Sequence, residues 1–541
     1  MKFKCYILIG LTLLLFNSTC AQVTQEWVRN YPGLLNEGAN AIKVLNDNDN
    51  NVYVLGDCSI FVGTNFRDLV LLKYNSAGIE QWVKTYNNPN NTVDIAGAMT
   101  LDNSGNVIIT GKTEYLDTGF FSTVKYNSNG TQNWAVQYNS NPPSQLYNSP
   151  VAIHTDNSSN VYVTALSSYQ QQVSDYFTIK YNSSGTELWS ARFNDGADYP
   201  YDMNVDNLGN VYVTGYSTSD STGYDIKTVK YNSGGNFQWV QKYQSFLATP
   251  TNSECKLILD NNGNVYVAGT CYGPFGLWDL VLIKYLPDGS QSWIKYYGGS
   301  GYDRSDAITI DFQNNIYVTG FKIVNGEAQT VILRYNSSGD LTKEIIYDGP
   351  GNNDNSTDIK TDSHRNVYVT GYVNASGSSN TDFFTVSYDS SGAQRWVKLY
   401  NGNGNGMDKA YSLSLDNNNN VYVTGYTKDT SFNVMTTIKY SQTIGIQTIS
   451  NELPQKFSLS QNYPNPFNPS TNINFEIART SNVKLVVYDA LGREVSVLAN
   501  ETMKPGIYSA SFDAEGLNSG VYFYSLITDG FKETKKMILL K

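Results

Sequence analysis

Hydrophobic and polar residues alternate along most of the chain in short runs separated by turn-forming residues. One such unit reads as four strand signals. The first alternates and ends in aspartate, as in Ala307-Ile308-Thr309-Ile310-Asp311. A turn such as Asp260 to Gly263 leads to a Val-Tyr-Val-Thr-Gly run, as at Val211 to Gly215. A third strand follows, as in Asp225 to Tyr231. After a turn such as Asn232 to Gly235, a fourth carries Gln238-Trp239-Val240. Period-2 runs joined by tight turns predict an antiparallel meander. No 3.6-residue apolar period is present, so helical repeats are excluded.

The unit recurs. The Asn-Val-Tyr-Val string or a close variant begins at Asn51, Asn106, Asn160, Asn210, Asn264, Asn315, Asn366 and Asn420, at spacings of 50 to 55 residues. A Lys-Tyr-Asn string places its tyrosine at Tyr74, Tyr126, Tyr181, Tyr231, Tyr285, Tyr335, Tyr388 and Tyr440. A Trp-led strand begins at Trp82, Trp134, Trp189, Trp239, Trp293 and Trp396, with Lys343 in the sixth repeat's tryptophan position. Four strands per repeat of about 50 residues is the arithmetic of a propeller blade. The predicted fold is therefore all-β, with an eight-bladed β-propeller over 22–440. The eighth repeat has no Trp strand, and a spare one, Glu26 to Tyr31, precedes the first repeat. That strand is predicted to close the last blade, because an open ring leaves unpaired backbone edges.

The two ends differ from the repeats. Lys2 and Lys4, the apolar stretch Tyr6 to Phe16 and the small residues up to Ala21 make a secretory signal peptide over 1–21, too short in its apolar core to span a bilayer. No later segment is apolar enough to cross a membrane as a helix. Residues 441–456 read as a linker. In 457–541 three prolines cluster and six or seven strand signals follow, which predicts a small Ig-like sandwich.

Composition sharpens this picture in three ways. Of 541 residues 16% are charged and 42 are Tyr, which argues for a folded all-β chain. A net charge of −11 argues against a nucleic-acid-binding surface. Two histidines and five cysteines leave little for a His/Cys metal site or a His-based catalytic centre. Without the signal peptide three cysteines remain. Cys255 and Cys271 flank one hairpin turn, which allows a cross-strand bridge or two buried thiols, and Cys58 has no evident partner.

The repeat units with their Asn-Val-Tyr-Val-Thr-Gly core resemble the bacterial SBBP-type β-propeller repeats, a family with no single known activity. The C-terminal module resembles the type A sorting domain of the type IX secretion system of Bacteroidetes-like bacteria. The matching residues are Tyr463-Pro464-Asn465-Pro466-Phe467, Val487-Tyr488-Asp489 with Gly492-Arg493, Leu517 to Tyr524 around Gly520, and Lys535-Lys536 through to Lys541. That resemblance implies passage to the periplasm and export across the outer membrane by the type IX machinery. The cargo is then released or attached at the cell surface.

Candidate chemistry on the propeller is thin. One aspartate set stands six residues before the Lys-Tyr tyrosine: Asp68, Asp175, Asp225, Asp279 and Asp382. A second stands twelve before the Asn-Val-Tyr-Val asparagine: Asp94, Asp198, Asp303, Asp354 and Asp408. Both sets begin strands running the same way, which predicts a carboxylate ring on one face. Oxygen ligands there would suit Ca²⁺; the competing reading is that these aspartates accept turn N–H groups. No catalytic or cofactor motif is present, and Asn46 to Asn50 reads as a hairpin turn rather than a Ca²⁺ loop. His154 falls in a first strand and His364 in a turn, with no nucleophile at motif spacing. Trp278, Arg304 and Lys343 break the repeat pattern. The expected function is a non-catalytic binding or scaffold protein with an unknown protein or glycan ligand. The alternative is a propeller-fold polysaccharide hydrolase or lyase. An acidic pair in a deep pocket would favour the enzyme.

Overall fold

The computed structural model describes residues 23–540, apart from 34–37, 60–66, 88–92, 116–117, 139–147, 169–173, 219–224, 245–254, 275–276, 300, 375–379, 429–431, 443–445, 451–453 and 515–516. The signal peptide and Lys541 therefore lie outside the described residues. Two compact units are present, Thr24–Gln442 and a C-terminal unit from Thr443.

The first unit consists of eight four-stranded antiparallel sheets, seven of them in sequence order and the eighth completed by the chain's first strand, as an eight-bladed propeller requires. The first strands of adjacent blades touch one another around the axis: Ala39–Asn46, Val93–Leu101, Asn148–Thr155, Asp198–Val205, Lys256–Leu259, Arg304–Ile310, Asp354–Thr361 and Lys409–Leu415. Val23–Tyr31 pairs with Asn433–Gln442 as the outer strand of the eighth blade, so the ring is closed by its N-terminal strand as predicted.

The residues copied in every repeat explain how the blades hold together. In the turn after each first strand the aspartate organises its neighbours. Asp260 accepts the N–H groups of Asn262 and Asn264 on one oxygen, at 2.9 Å each. Its other oxygen takes the Asn264 amide at 2.7 Å and the Tyr266 hydroxyl at 3.1 Å. The Asp47 turn is built the same way, so Asn46 to Asn50 is a hairpin turn. Between blades, the tryptophan and the Lys-Tyr lysine reach one backbone carbonyl of the next blade's turn. Trp189 Nε1 and Lys180 Nζ both donate to the Ser233 carbonyl, at 3.0 and 3.5 Å. Six indoles, those of Trp27, Trp82, Trp134, Trp189, Trp239 and Trp293, lie against the glycine of that turn. Gly235 has φ +80°, and a Cβ there would stand 2.6 Å from the Trp189 ring, so only glycine suits both demands. Lys343 lays its stem over Gly392 in the same manner, which explains how the sixth repeat dispenses with tryptophan.

The seam follows the same logic with one substitution. Trp27 Nε1 donates to the Ser76 carbonyl at 3.2 Å and Lys439 to the same oxygen at 3.0 Å, so the N-terminal strand supplies the eighth blade's tryptophan. The eighth blade's third strand runs to Gln442 and its fourth comes from the N-terminus, so no hairpin turn between them offers Trp396 of the seventh blade a carbonyl. Gln442 replaces it: its Oε1 accepts from Trp396 Nε1 at 3.1 Å and Arg395 at 2.9 Å, while its amide donates to the Asn419 carbonyl at 2.7 Å.

The C-terminal unit is a sandwich of two four-stranded antiparallel sheets around one apolar core that includes Phe467, Phe475, Leu485, Tyr524 and Met537. Residues 457–541 contribute seven of its strands. The stretch read as a linker, 441–456, is corrected: Ile446–Ser450 is a strand that pairs with Gly506–Asp513, and the propeller runs to Gln442. All three cysteines are buried thiols, which decides between the two readings of Cys255 and Cys271. In that hairpin Lys256 pairs with Ala268, three residues before Cys271, so the two cysteines are not opposite each other. Burial pushes the Cys271 thiol up to about 12.

Candidate functional site

The two aspartate sets do start their strands at one end of the ring, but they do not form an exposed acidic face. Asp94, Asp175, Asp198, Asp225, Asp279, Asp354 and Asp408 are fully buried, Asp303 and Asp68 nearly so, and Asp382 is half-buried. The physical reason is that a first-strand aspartate accepts N–H groups from the loop that precedes it. Asp198 takes Asp195 N at 2.7 Å, Asp303 takes Gly299 N at 3.1 Å and Asp354 takes Gly349 N at 2.7 Å. Asp408 takes Lys428 N at 2.9 Å, and Asp94 accepts the Thr113 hydroxyl. In the third-strand set, Asp175 pairs with Arg192 at 2.7 Å and Asp225 with Lys242 at 2.9 Å. Burial pushes the Asp68 carboxyl up to about 7, with the Asp94 charge adding to it, and burial raises Asp354 to about 6. Burial also raises Asp382. Among the described residues, no three His, Cys, Asp or Glu side chains group as metal ligands.

The structure instead opens a cavity of about 1030 Å³ along the ring axis. It is made by a local feature of the first strands. Seven of them slip register once, between Ala41/Lys43, Ala96/Ala98, Pro150/Ala152, Pro200/Asp202, Ser305/Ala307, Ser356/Asp358 and Ala410/Ser412. A β-bulge turns its extra residue out of the ladder. The seven extra residues are Ile42, Gly97, Val151, Tyr201, Asp306, Thr357 and Tyr411, and all of them line the cavity. At the bulge position blades one to three thus present Ile42, Gly97 and Val151, and the blades beyond present tyrosines and polar groups.

The next position is charged in four strands, at Lys43, Asp202, Lys256 and Asp358, and is alanine at Ala98, Ala152 and Ala307 and serine at Ser412. Both of these carboxylates are occupied by the fold. Asp202 accepts Met203 N and, across the blade boundary, Leu257 N, each at 2.9 Å. Asp358 accepts Leu413 N at 3.0 Å and the Ser412 hydroxyl at 3.1 Å, with Lys360 at 3.0 Å and Lys43 at 4.0 Å. Burial would raise Asp358, but Lys360 and Lys43 outweigh it and hold the carboxyl below its usual range. Burial lowers the Lys43 ammonium and the His154 imidazole against the pull of nearby carboxylates. His154 lines the cavity two residues beyond Ala152, whereas the backbone N–H of His364 donates to Asp362 in a turn. At the end where the first strands begin, Tyr199, Tyr201, Tyr372, Tyr411 and Arg304 surround the mouth.

Sequence reasoning missed this site apart from singling out Arg304 and His154, both of which line it. The available signal was the column five residues before each turn aspartate, which reads Ile42, Gly97, Val151, Tyr201, Cys255, Asp306, Thr357, Tyr411. It is a column of unlike residues inside a repeat whose other columns recur.

In the sorting segment, Asn465 Oδ1 accepts the Ile538 N–H at 2.9 Å, and Phe467 exchanges backbone hydrogen bonds with Ile538 and Leu540. Tyr463 is 82% exposed and Phe467 is buried in the core. Gly492 occupies a turn at φ +78°, closed by Asp489, which accepts from Arg493. Gly520 begins a strand whose partner contains Lys535 and Lys536. Pro464 and Pro466 stand between them in the Tyr463 segment, and the Pro464 carbonyl accepts from Asn462 and Thr471.

Comparison with known proteins agrees with both units. Residues 461–540 match the secretion system C-terminal sorting domain, and residues 188–221, 292–320 and 395–433 match the beta-propeller repeat. No curated protein sequence matches the chain. Among solved structures it is similar to PorZ, a surface component of the type IX secretion system of Porphyromonas gingivalis. There the identity is 12%, coverage is 93% of this chain and 70% of that one, and the TM-score is 0.38. It is also similar to the polysaccharide lyase Uly1 (9% identity, 77% and 99% coverage, TM-score 0.41). A third is a copper-bound fungal alcohol oxidase (10% identity, 96% and 100% coverage, TM-score 0.40). Likenesses this distant carry no functional conclusion. No helix among the described residues is long and apolar enough to cross a membrane. The chain carries SBBP-type β-propeller repeats and ends in a type IX secretion system C-terminal sorting domain, which directs it to the cell surface or the medium.

Proposed function

We propose that the protein is a non-catalytic, exported binding protein whose propeller takes a glycan at the tyrosine-lined mouth of its axial cavity. The observation that carries this reading is the group of Tyr199, Tyr201, Tyr372 and Tyr411 in the cavity wall. Tyrosine presents an apolar face for a sugar ring and a hydroxyl for its polar edge. The state of the cavity carboxylates supports binding over hydrolysis. A glycosidase needs one carboxyl as acid and one as base or nucleophile. Here Asp202 and Asp358 each accept backbone N–H groups of the next blade, which makes them part of the ring's scaffold. The C-terminal sandwich is read as Ig-like, with its sorting segment engaging the type IX machinery, and no cofactor is assigned.

The test is a glycan array run on the full chain, with parallel assays for product release. Retention of one class of glycan without shortening is the expected result. Release of products would replace this reading by the polysaccharide hydrolase or lyase, and retention of no glycan would withdraw it.

A further inference from the structure

Trp278 and Arg304 depart from the repeat, and the structure joins them. Trp278 begins the third strand of the fifth blade, where it meets Tyr272 edge-on at 5.9 Å between centroids. On its other side lies Tyr302 at 6.4 Å, and Tyr302 stacks on Phe321 at 5.6 Å. The Arg304 guanidinium lies 4.8 Å over Phe321, held there by a 2.7 Å bond from its Nε to Asp306. Arg304 lines the axial cavity beside Tyr372 and Tyr411. These contacts form one continuous track. It starts three strands out on the fifth blade, passes over the sixth and ends at the mouth. Trp278, Tyr302 and Arg304 are half-buried, so each keeps part of its surface for a ligand.

The track leads toward positive charge, although the chain as a whole carries −11. The charged residues that line the cavity are Lys43, Lys256, Arg304 and Lys360 against Asp202, Asp306 and Asp358, a balance of four to three that leaves out His154. The three carboxylates already accept from the protein: Asp202 and Asp358 as above, and Asp306 from Arg304 and from Ser356 at 3.2 Å. Arg304 is paired with Asp306, and Lys360 and Lys43 with Asp358, so the lining keeps a net surplus of one positive charge, met by a ligand at the end of an aromatic platform. We infer that the site takes an extended anionic polysaccharide. Its sugar rings lie along Trp278 and Tyr302 and at the tyrosine mouth. Its carboxylate or sulfate groups meet Arg304 and the lysines within. This rests on the glycan-binding reading and adds the charge class and the path.

The experiment is affinity electrophoresis of the full chain through gels holding polygalacturonate, its methyl-esterified form, dextran sulfate, dextran or polyglutamate. At least one anionic polysaccharide should retard the protein with affinity about tenfold above that of its neutral counterpart, and salt should weaken the retention. The polygalacturonate and dextran sulfate arms tell which anion is preferred. Trp278→Leu, which keeps an apolar packing group, should weaken retention while the thermal midpoint stays near that of wild type. Lys360→Gln should weaken it too, with a lower midpoint because Asp358 loses its partner at 3.0 Å, and circular dichroism checks that both variants are folded. Equal, salt-insensitive retention by neutral gels would overturn the anionic inference and leave the glycan reading standing. Retention by polyglutamate as strong as by polygalacturonate would overturn the saccharide assignment. Undiminished retention of both folded variants would overturn the track, and retention by no polysaccharide would overturn both readings together.

Discussion

Asp156 and Asp68 are the same side chain in opposite situations. Burial would raise Asp156, but the Asn160 amide and the Asn160 and Ser158 N–H groups outweigh it and hold the carboxyl below its ordinary range. Asp68 lies buried near Asp94 and is pushed up to about 7. The linkage signs follow. Asp156 binds its proton less tightly folded than unfolded, so it stabilises the ring near neutral pH and loses that contribution in acid. Asp68 binds its proton more tightly folded, so its contribution is lost as pH rises from about 4 to about 7. Asp68→Asn should therefore raise the thermal midpoint above pH 7 and leave it nearly unchanged below pH 4, as read by calorimetry across that range. The recurrence of such aspartates was legible in the sequence and their burial was not. A strand-starting aspartate looks the same on paper whether it faces water or the N–H groups of its own loop.

At the scale of the strand, the seam is where sequence arithmetic and structure agree most closely. One missing Trp strand and one spare one predicted that the Glu26 to Tyr31 strand closes the eighth blade, and it does so within the longer strand Val23–Tyr31. Removing residues 22–31 should unfold the ring cooperatively at a much lower temperature, and Trp27→Ala alone should cost about 3–5 kcal/mol. Gln442 was not legible, because nothing in the pattern says that a side-chain amide stands in for a turn carbonyl. Gln442→Ala leaves the Trp396 and Arg395 donors and the Asn419 carbonyl without it. It should cost about 1–3 kcal/mol in denaturant unfolding. The bulges were hidden for a related reason. An extra residue does not interrupt a run of strand-forming residues, yet it turns Tyr201 and Tyr411 into the cavity. Repeats advertise their scaffold by recurrence, whereas the site lies in the column that varies. Cys255 occupies that column in the fifth blade, where the described first strand is only Lys256–Leu259.

At the scale of the whole molecule, two units divide the work. The repeats build a ring with an asymmetric axial cavity, and the C-terminal sandwich carries the sorting domain over 461–540. The ring should not need the sandwich in order to close, since its last strand ends at Gln442. A chain ended after Gln442 should accumulate in the periplasm, detected by cell fractionation, while the full chain reaches the surface or the medium. Normal surface appearance of the shortened chain would refute the sorting assignment. The glycan reading is tested most directly by hydroxyl-radical footprinting of the full chain with and without a retained polysaccharide. The account predicts protection of Tyr199, Tyr201, Tyr372 and Tyr411, with Tyr463, which is exposed on the other unit, unchanged as the internal reference. Protection elsewhere on the propeller with the mouth tyrosines unaltered would contradict it.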